Sequence, residues 1–177
     1  ESKSGERGIF NREASKKQAA KYGRRDPDHE FGTNPCSEII LRSGQVCNLT
    51  EVVVRATDTF DDLERKVRIA TILGTIQSTY TKFPYLRKVW QRNTEEERLL
   101  GVSLTGVMDN PLMTTKNKGL EKTLENLREV AVNTNAMWAD RLGINPSTAI
   151  SCNKPSGTVS QLVDSASGIH ARHNEYY

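Results

Sequence analysis

Apolar residues recur at helical spacing along two stretches of the chain, and the rest of the sequence is read around them. Leu120, Leu124, Leu127, Ala131 and Trp138 predict a helix over about 119–142, with Gly143 placed to stop it. Phe60, Leu63, Val67, Ala70 and Leu73 line one side of a second helix, opened by a Thr59/Asp62 capping box and running to about Thr81. Phe83-Pro84 breaks it, and residues 85–99 read as a further helix. Between these lie short apolar runs bounded by turn residues: Ile39-Ile40-Leu41 inside an extended stretch from Phe31 to Arg42, Gly101 to Val107, and Thr148 to Cys152. Asn11 caps a short helix over about 12–22 that Gly23 ends; Arg24 to Asp28 is a connector, and a last helix starts near Thr158. Strands separated by long helices predict an α/β fold with mainly parallel pairing. No internal repeat or low-complexity tract interrupts the pattern.

Composition narrows the class without changing the picture. The 177 residues are 36% hydrophobic and 27% charged, lean but unlike a disordered chain, and long enough for one domain with a sizeable core. No run approaches the ~18 apolar residues of a membrane span, and the first residues lack the apolar stretch of a secretory signal, so the chain reads as cytoplasmic. The net charge of +3 comes from residues 1–25, with eight Lys/Arg against three Asp/Glu. Lys16, Lys17, Lys21, Arg24 and Arg25 suit a nucleic-acid arm or a solvated helix face; the second is preferred, since no basic surplus follows. Three cysteines at irregular spacing make neither a disulfide framework nor a zinc site, which leaves redox or catalytic work. His170 and His173 have no cysteine or carboxylate at ligand spacing, so no metal site is assigned.

Two constellations carry chemistry. In Asn34-Pro35-Cys36-Ser37-Glu38, proline holds Asn34 extended, so Asn34, Cys36 and Glu38 are expected on one face of a strand. An amide holds a hydroxyl, a carboxylate accepts a proton, and a thiol gives a nucleophile or a sulfur radical. A turn at Ser43-Gly44-Gln45 brings Cys47 back towards Cys36, where two thiols form a reductant pair; the plainer alternative is a half-buried strand with cysteine as filler. The second is Pro155-Ser156-Gly157-Thr158-Val159-Ser160, a small-residue turn between strand and helix that suits phosphate, or simply caps the helix. Cys152, Trp90 and Trp138 read as packing.

Together these residues resemble the large catalytic chain of the ribonucleotide reductases, most closely the adenosylcobalamin-dependent class II enzymes. The resemblance is carried by Ser4 to Asn11, by Asn34-Pro-Cys-Ser-Glu38, by Cys47-Asn-Leu-Thr-Glu-Val52, by Leu100 to Gly106 and by Lys154 to Ser160. Proline after Asn34 favours class II over the oxygen-dependent class I pattern, and Cys47 to Val52 looks like the monomeric branch that reduces triphosphates. The resemblance implies part of a ten-stranded α/β barrel with the radical cysteine on an inner finger loop. On that basis residues 1–28 are a basic helical arm and connector, 29–55 the finger-loop region, 56–147 a helical layer with a short strand, and 148–177 a phosphate-binding strand, turn and helix.

The same resemblance implies roles. Cys36 becomes a thiyl radical that abstracts the ribose 3′ hydrogen; Glu38 takes the 3′-hydroxyl proton; Asn34 holds the ribose hydroxyls; Cys47 is one thiol of the reducing pair. Pro155, Ser156, Gly157, Thr158 and Ser160 cradle the substrate phosphate. Adenosylcobalamin is the implied cofactor, a ribonucleoside triphosphate or diphosphate the substrate, and a thioredoxin-type dithiol the reductant. The partner cysteine, the allosteric loops, much of the barrel and the C-terminal cysteine pair of such enzymes have no counterpart in these residues, and the chain ends at Tyr176-Tyr177 inside a family strand. The expectation is therefore a piece of the catalytic core that does not turn over alone and needs the remaining segments in cis or in trans. The rival reading is a non-catalytic nucleotide-binding or assembly module, which would have no use for Asn34, Cys36, Glu38 and Cys47 together.

Overall fold

The computed structural model describes residues 8–114 and 118–174. The first half of the Ser4 to Asn11 motif and the final Tyr176-Tyr177 lie outside them. In chain order the elements are α1 (Arg12–Ala20), β1 (Phe31–Thr33), β2 (Ile40–Arg42), β3 (Asn48–Val53), α2 (Phe60–Gln77), α3 (Lys88–Glu97), β4 (Leu100–Thr105), two 3-10 turns (Val107–Asp109 and Pro111–Met113), α4 (Leu120–Leu142) and the short α5 (Val159–Leu162).

The centre is a parallel layer. β3 and β4 pair in register from Asn48 opposite Leu100 to Val53 opposite Thr105. The stretch expected as a strand over 148–152 runs along the far side of β4: Ala149 and Ile150 carbonyls accept from Leu100 and Val102 N–H at 3.0 and 2.7 Å, and Cys152 N–H donates to the Val102 carbonyl at 3.1 Å. Each parallel step is bridged by a helix, α2 then α4, as the alternating pattern requires. Both helices lie on one face of the layer, where Val52, Val54, Leu100, Val102 and Ile150 meet Leu63, Val67, Ala70, Leu127 and Ala131 in one core cluster.

The helix boundaries follow their signals. Thr59 accepts from Asp62 N–H and Asp62 reaches back to Thr59, the capping box that opens α2. Gly143 ends α4 at φ +64°, donating to the Ala139 and Asp140 carbonyls. The buried faces differ in part from the apolar pattern. Leu73 is 58% exposed and Leu124 42%, while Thr71, Thr75, Thr134 and Asn135 are buried. The cause is close approach: a methyl at Gly74 would lie 3.1 Å from Leu100, so α2 sits near the sheet on small residues. Asn135 then ties the two helices to the third extended segment, donating to Thr75 Oγ1 at 2.9 Å and accepting from Ser147 N–H at 2.8 Å.

The predicted extended stretch from Phe31 to Arg42 is instead a hairpin. β1 and β2 are antiparallel, Phe31 opposite Arg42 and Thr33 opposite Ile40, with residues 34–39 turning between them. Asn34 Oδ1 accepts from Ile39 N–H at 3.1 Å, and Ser37 takes φ +63°, in the left-handed region. Ser37 N–H also donates to the Asn34 carbonyl at 3.0 Å, so Pro35 and Cys36 are the two central residues of a tight turn, whose first central position favours proline.

This hairpin is held to the layer by a buried ion pair. Arg25, on the connector after α1, donates from Nε and Nη2 to the two Glu97 oxygens at 2.9 Å each, and from Nη1 to the Ile40 carbonyl at 2.9 Å. Its guanidinium lies 4.6 Å from the centroid of the Phe31 ring. Gln45 completes the set, donating to Glu97 and accepting from Arg42 N–H. Burial pushes the Glu97 carboxyl up, but the Arg25 and Gln45 hydrogen bonds and the Arg25 and Arg42 charges outweigh it, so the net shift is below the usual range. A carboxyl lowered by folding contributes stability that is present above its unfolded value and lost as pH falls through the folded one. Denaturant titrations between pH 7 and pH 3 should show an acid-side loss that Glu97→Gln lacks, with that variant less stable at pH 7 by about 3–5 kcal/mol because it strands Arg25.

Candidate functional site

The face of the layer opposite α2 and α4 is polar, and strand alternation explains which residues it collects. If Val52, Leu100 and Val102 face the helices, then Leu49, Glu51, Gly101 and Ser103 face away, as their pairing across β3 and β4 shows. Cys47 precedes Leu49 by two residues and shares its side. Gly101 opens a gap there: a methyl would meet Leu49 Cδ2 at 2.3 Å, Cys152 Sγ at 3.0 Å and Ile39 Cδ1 at 3.1 Å. The absence of a side chain lets the hairpin, β3 and the third extended segment close over one point.

Glu38 comes down beside this point from the hairpin. Its Oε2 is buried and has no hydrogen-bond partner. Cys47 is half-buried, and burial followed by the Glu38 charge pushes its thiol up. Cys152 is half-buried and is pushed up to about 12, chiefly by burial, then by Glu38 and Cys47, with Lys154 and a Ser103 hydrogen bond opposing. Glu38, Cys47 and Cys152 therefore form one electrostatic neighbourhood. Cys36 stands on the exposed turn, and nothing brings it into that cluster. The expectation that Asn34, Cys36 and Glu38 share an extended face is corrected by the turn: Asn34 spends its amide oxygen closing it. Cys152, read from its apolar surroundings as packing, is the thiol placed beside Cys47.

The Pro155 to Ser160 turn is arranged differently from an open phosphate cradle. Ser156 is buried, its hydroxyl donating to Glu51 and accepting from Ser160 N–H at 3.1 Å. Ser160 is fully buried and donates to the Gly157 carbonyl at 3.1 Å. Lys154 pairs with the other Glu51 oxygen. Gly157, at φ +58°, and Thr158 are exposed. A carboxylate of the chain itself thus occupies the inner side of the turn. Neither Glu51 nor Lys154 was singled out in the sequence; the signal was available in their flanking the two motifs, one in Cys47 to Val52 and one in Lys154 to Ser160.

No family model matches the chain. Curated relatives do. An adenosylcobalamin-dependent ribonucleoside-triphosphate reductase of Lactobacillus acidophilus is 29% identical, aligned over 97% of this chain and 26% of its own length. Those of Lacticaseibacillus paracasei (29%, 98% and 27%) and Levilactobacillus brevis (28%, 82% and 22%) are similar. A solved B-12 dependent (class II) ribonucleotide reductase superposes with a TM-score of 0.69 at 25% identity, covering 82% of this chain and 23% of that one. The chain resembles the class II ribonucleotide reductases in both sequence and fold. It spans about a quarter of the length of the relatives it matches. No helix among the described residues is long and apolar enough to cross a membrane.

The site predicts an order of thiol reactivity. Alkylation at pH 8, followed by mass spectrometry, should label Cys36 first, Cys47 more slowly and Cys152 last. Because the Glu38 carboxylate raises both inner thiols, Glu38→Gln should lower their pKa and speed their labelling while leaving Cys36 unchanged. Gly101→Ala, which drives a methyl into Leu49, Cys152 and Ile39, should cost about 1–3 kcal/mol in urea unfolding.

Proposed function

We propose that this chain is part of the catalytic core of an adenosylcobalamin-dependent ribonucleotide reductase, converting ribonucleoside triphosphates to 2′-deoxyribonucleotides by thiyl-radical chemistry. The observation that carries the reading is the cluster on the open face: a buried carboxylate oxygen with no partner, beside two thiols kept in the S–H form. A packing role leaves that oxygen unexplained, since burying an unpaired carboxylate costs free energy that only a bound partner returns. Substrate hydroxyls are such a partner.

The residues around Cys36 fit a bulky cofactor. The thiol is exposed, and beside its turn lies an open cavity of about 690 Å³ lined by residues that include Ile9, Phe10, Asn34, Pro35 and Ser37. Ile9 is fully exposed and offers an apolar contact. When bound, adenosylcobalamin supplies the one-electron chemistry that removes a hydrogen atom from a thiol. Cys36 then takes the ribose 3′ hydrogen and returns it at the end of turnover. Glu38, whose buried oxygen has no hydrogen-bond partner, accepts the 3′-hydroxyl proton, and the 2′-hydroxyl leaves as water on a proton given by the reducing pair. Cys47 serves as one thiol of the reducing pair, and its raised pKa suits a donor of hydrogen rather than a nucleophile.

Phosphate recognition by the Pro155 to Ser160 turn falls to its exposed members, Gly157 and Thr158, with Lys154 and Glu51 setting the turn's shape. A thioredoxin-type dithiol and the remaining segments of the enzyme complete the cycle. The test is deoxynucleotide formation by the full-length protein supplied with ribonucleoside triphosphate, adenosylcobalamin and a dithiol. Glu38→Gln should lower kcat by about 10²–10⁴-fold with KM little changed. Cys36→Ala should abolish both turnover and the cob(II)alamin-thiyl paramagnetic resonance signal; a persisting signal would remove Cys36 from the radical role.

A further inference from the structure

The basic residues near the start of the chain are only partly explained by the fold. Arg25 is committed to Glu97, but Arg24 is not used that way. Its guanidinium lies 5.4 Å from the centroid of the Tyr22 ring, while Arg128 of α4 lies 4.2 Å from the same ring and Lys21 5.1 Å. Among the described residues neither Arg24 nor Arg128 forms an ion pair, and the Nε of each is buried without a hydrogen-bond partner. Two guanidiniums have been brought together, partly out of water, around an aromatic ring and with no carboxylate between them.

The space they line has a definite size and chemistry. A cavity of about 150 Å³ is lined by residues that include Tyr22, Arg24, Arg128, Thr148, Ser151 and Glu38. That is room enough for a small polyatomic anion such as phosphate. The donors agree with that occupant. A guanidinium fork binds two oxygens side by side, so a carboxylate saturates one fork and leaves the other unpaired. A phosphate has enough oxygens and enough charge for both.

We propose that the cavity between Arg24 and Arg128 is a phosphate-binding site, separate from the Pro155 to Ser160 turn. The like charge of Arg128, after burial, also lowers the Arg24 pKa, which is the state of a site waiting for an anion. Phosphate free in solution and the terminal phosphate of a nucleotide share this chemistry.

The experiment is titration of the chain with inorganic phosphate, with ATP and with adenosine, followed by calorimetry and by thermal unfolding. Inorganic phosphate should bind and raise Tm. Arg24→Gln and Arg128→Gln should each weaken binding by about tenfold or more, as loss of one charge-assisted contact does. Lys17→Gln, on the exposed side of α1, should leave it unchanged. In the absence of phosphate both arginine variants should keep or raise Tm, because they relieve repulsion between like charges; a fall would mean that the arginines hold the fold and would overturn the site. ATP binding more tightly than phosphate, with adenosine inert, assigns the source to a nucleotide tail; equal affinity assigns it to the free ion. No binding of either phosphate compound, or binding that both arginine variants retain, would overturn the proposal. None of these readings depends on reductase activity, so its failure and that of the proposed reaction are separable.

Discussion

The bidentate bond between Arg25 and Glu97 decides where the hairpin lies, and the candidate site lies where the hairpin puts it. Three-residue strands are too short to hold themselves, and few residues of this hairpin reach the core: Phe31 and Ile39 are its buried apolar side chains. Apolar contacts of that size are non-directional and would tolerate a shifted or tilted hairpin. A guanidinium fork is directional. It meets both Glu97 oxygens, reaches the Ile40 carbonyl two residues beyond Glu38, and stacks on Phe31. Desolvating the two charges offsets much of their attraction, so the pair acts as a positioning device more than as a source of stability. The position it sets is that of the Glu38 carboxylate over the open face of β3 and β4.

That face exists because the parallel layer is asymmetric. α2 and α4 close one side with an apolar core, while the other keeps Cys47, Glu51, Ser103, Cys152 and Lys154. Gly101 is the hinge of the arrangement. A side chain there would push apart the ends of Leu49, Cys152 and Ile39, which now converge at this point. The Glu51 carboxylate does comparable work at the turn after the third segment, linking Ser156 and Lys154 to β3 and fixing a loop that has no regular structure of its own.

Much of this was legible in the residues. Caps and stops placed α2 and α4 within a few residues, because Thr59, Asp62 and Gly143 act through local geometry that needs no partner. The parallel layer followed from alternation of strands and helices. The hairpin was not legible from Pro35 alone, since proline suits both an extended residue before it and the first central position of a turn, and the turn is closed by the Asn34 side chain bonding Ile39. The helix interface was misread at Leu73 and Leu124 because threonines and Asn135 pair by hydrogen bonds that hydrophobic periodicity does not register. The site was legible as motifs but not as a grouping. Glu38 and Cys47 lie in motifs that the residues display, whereas Cys152 is distant in sequence and becomes their neighbour only through its place alongside β4.

The cluster has a property that no member has alone. After burial, the Glu38 charge raises the pKa of Cys47 and Cys152, so both thiols become more acidic wherever that charge is neutralised. Under the proposed reaction this orders the steps. Before substrate deprotonation the thiols stay as S–H, protected from ionisation and from stray oxidation as thiolates. Once Glu38 holds the substrate proton, Cys47 gives up its own more readily, at the stage when the reducing pair must deliver it. Among the described residues Glu38 forms no ion pair, and its buried oxygen stands beside two half-buried thiols, an arrangement suited to protons that move in sequence; Arg25, the buried guanidinium that holds the hairpin, is committed to Glu97.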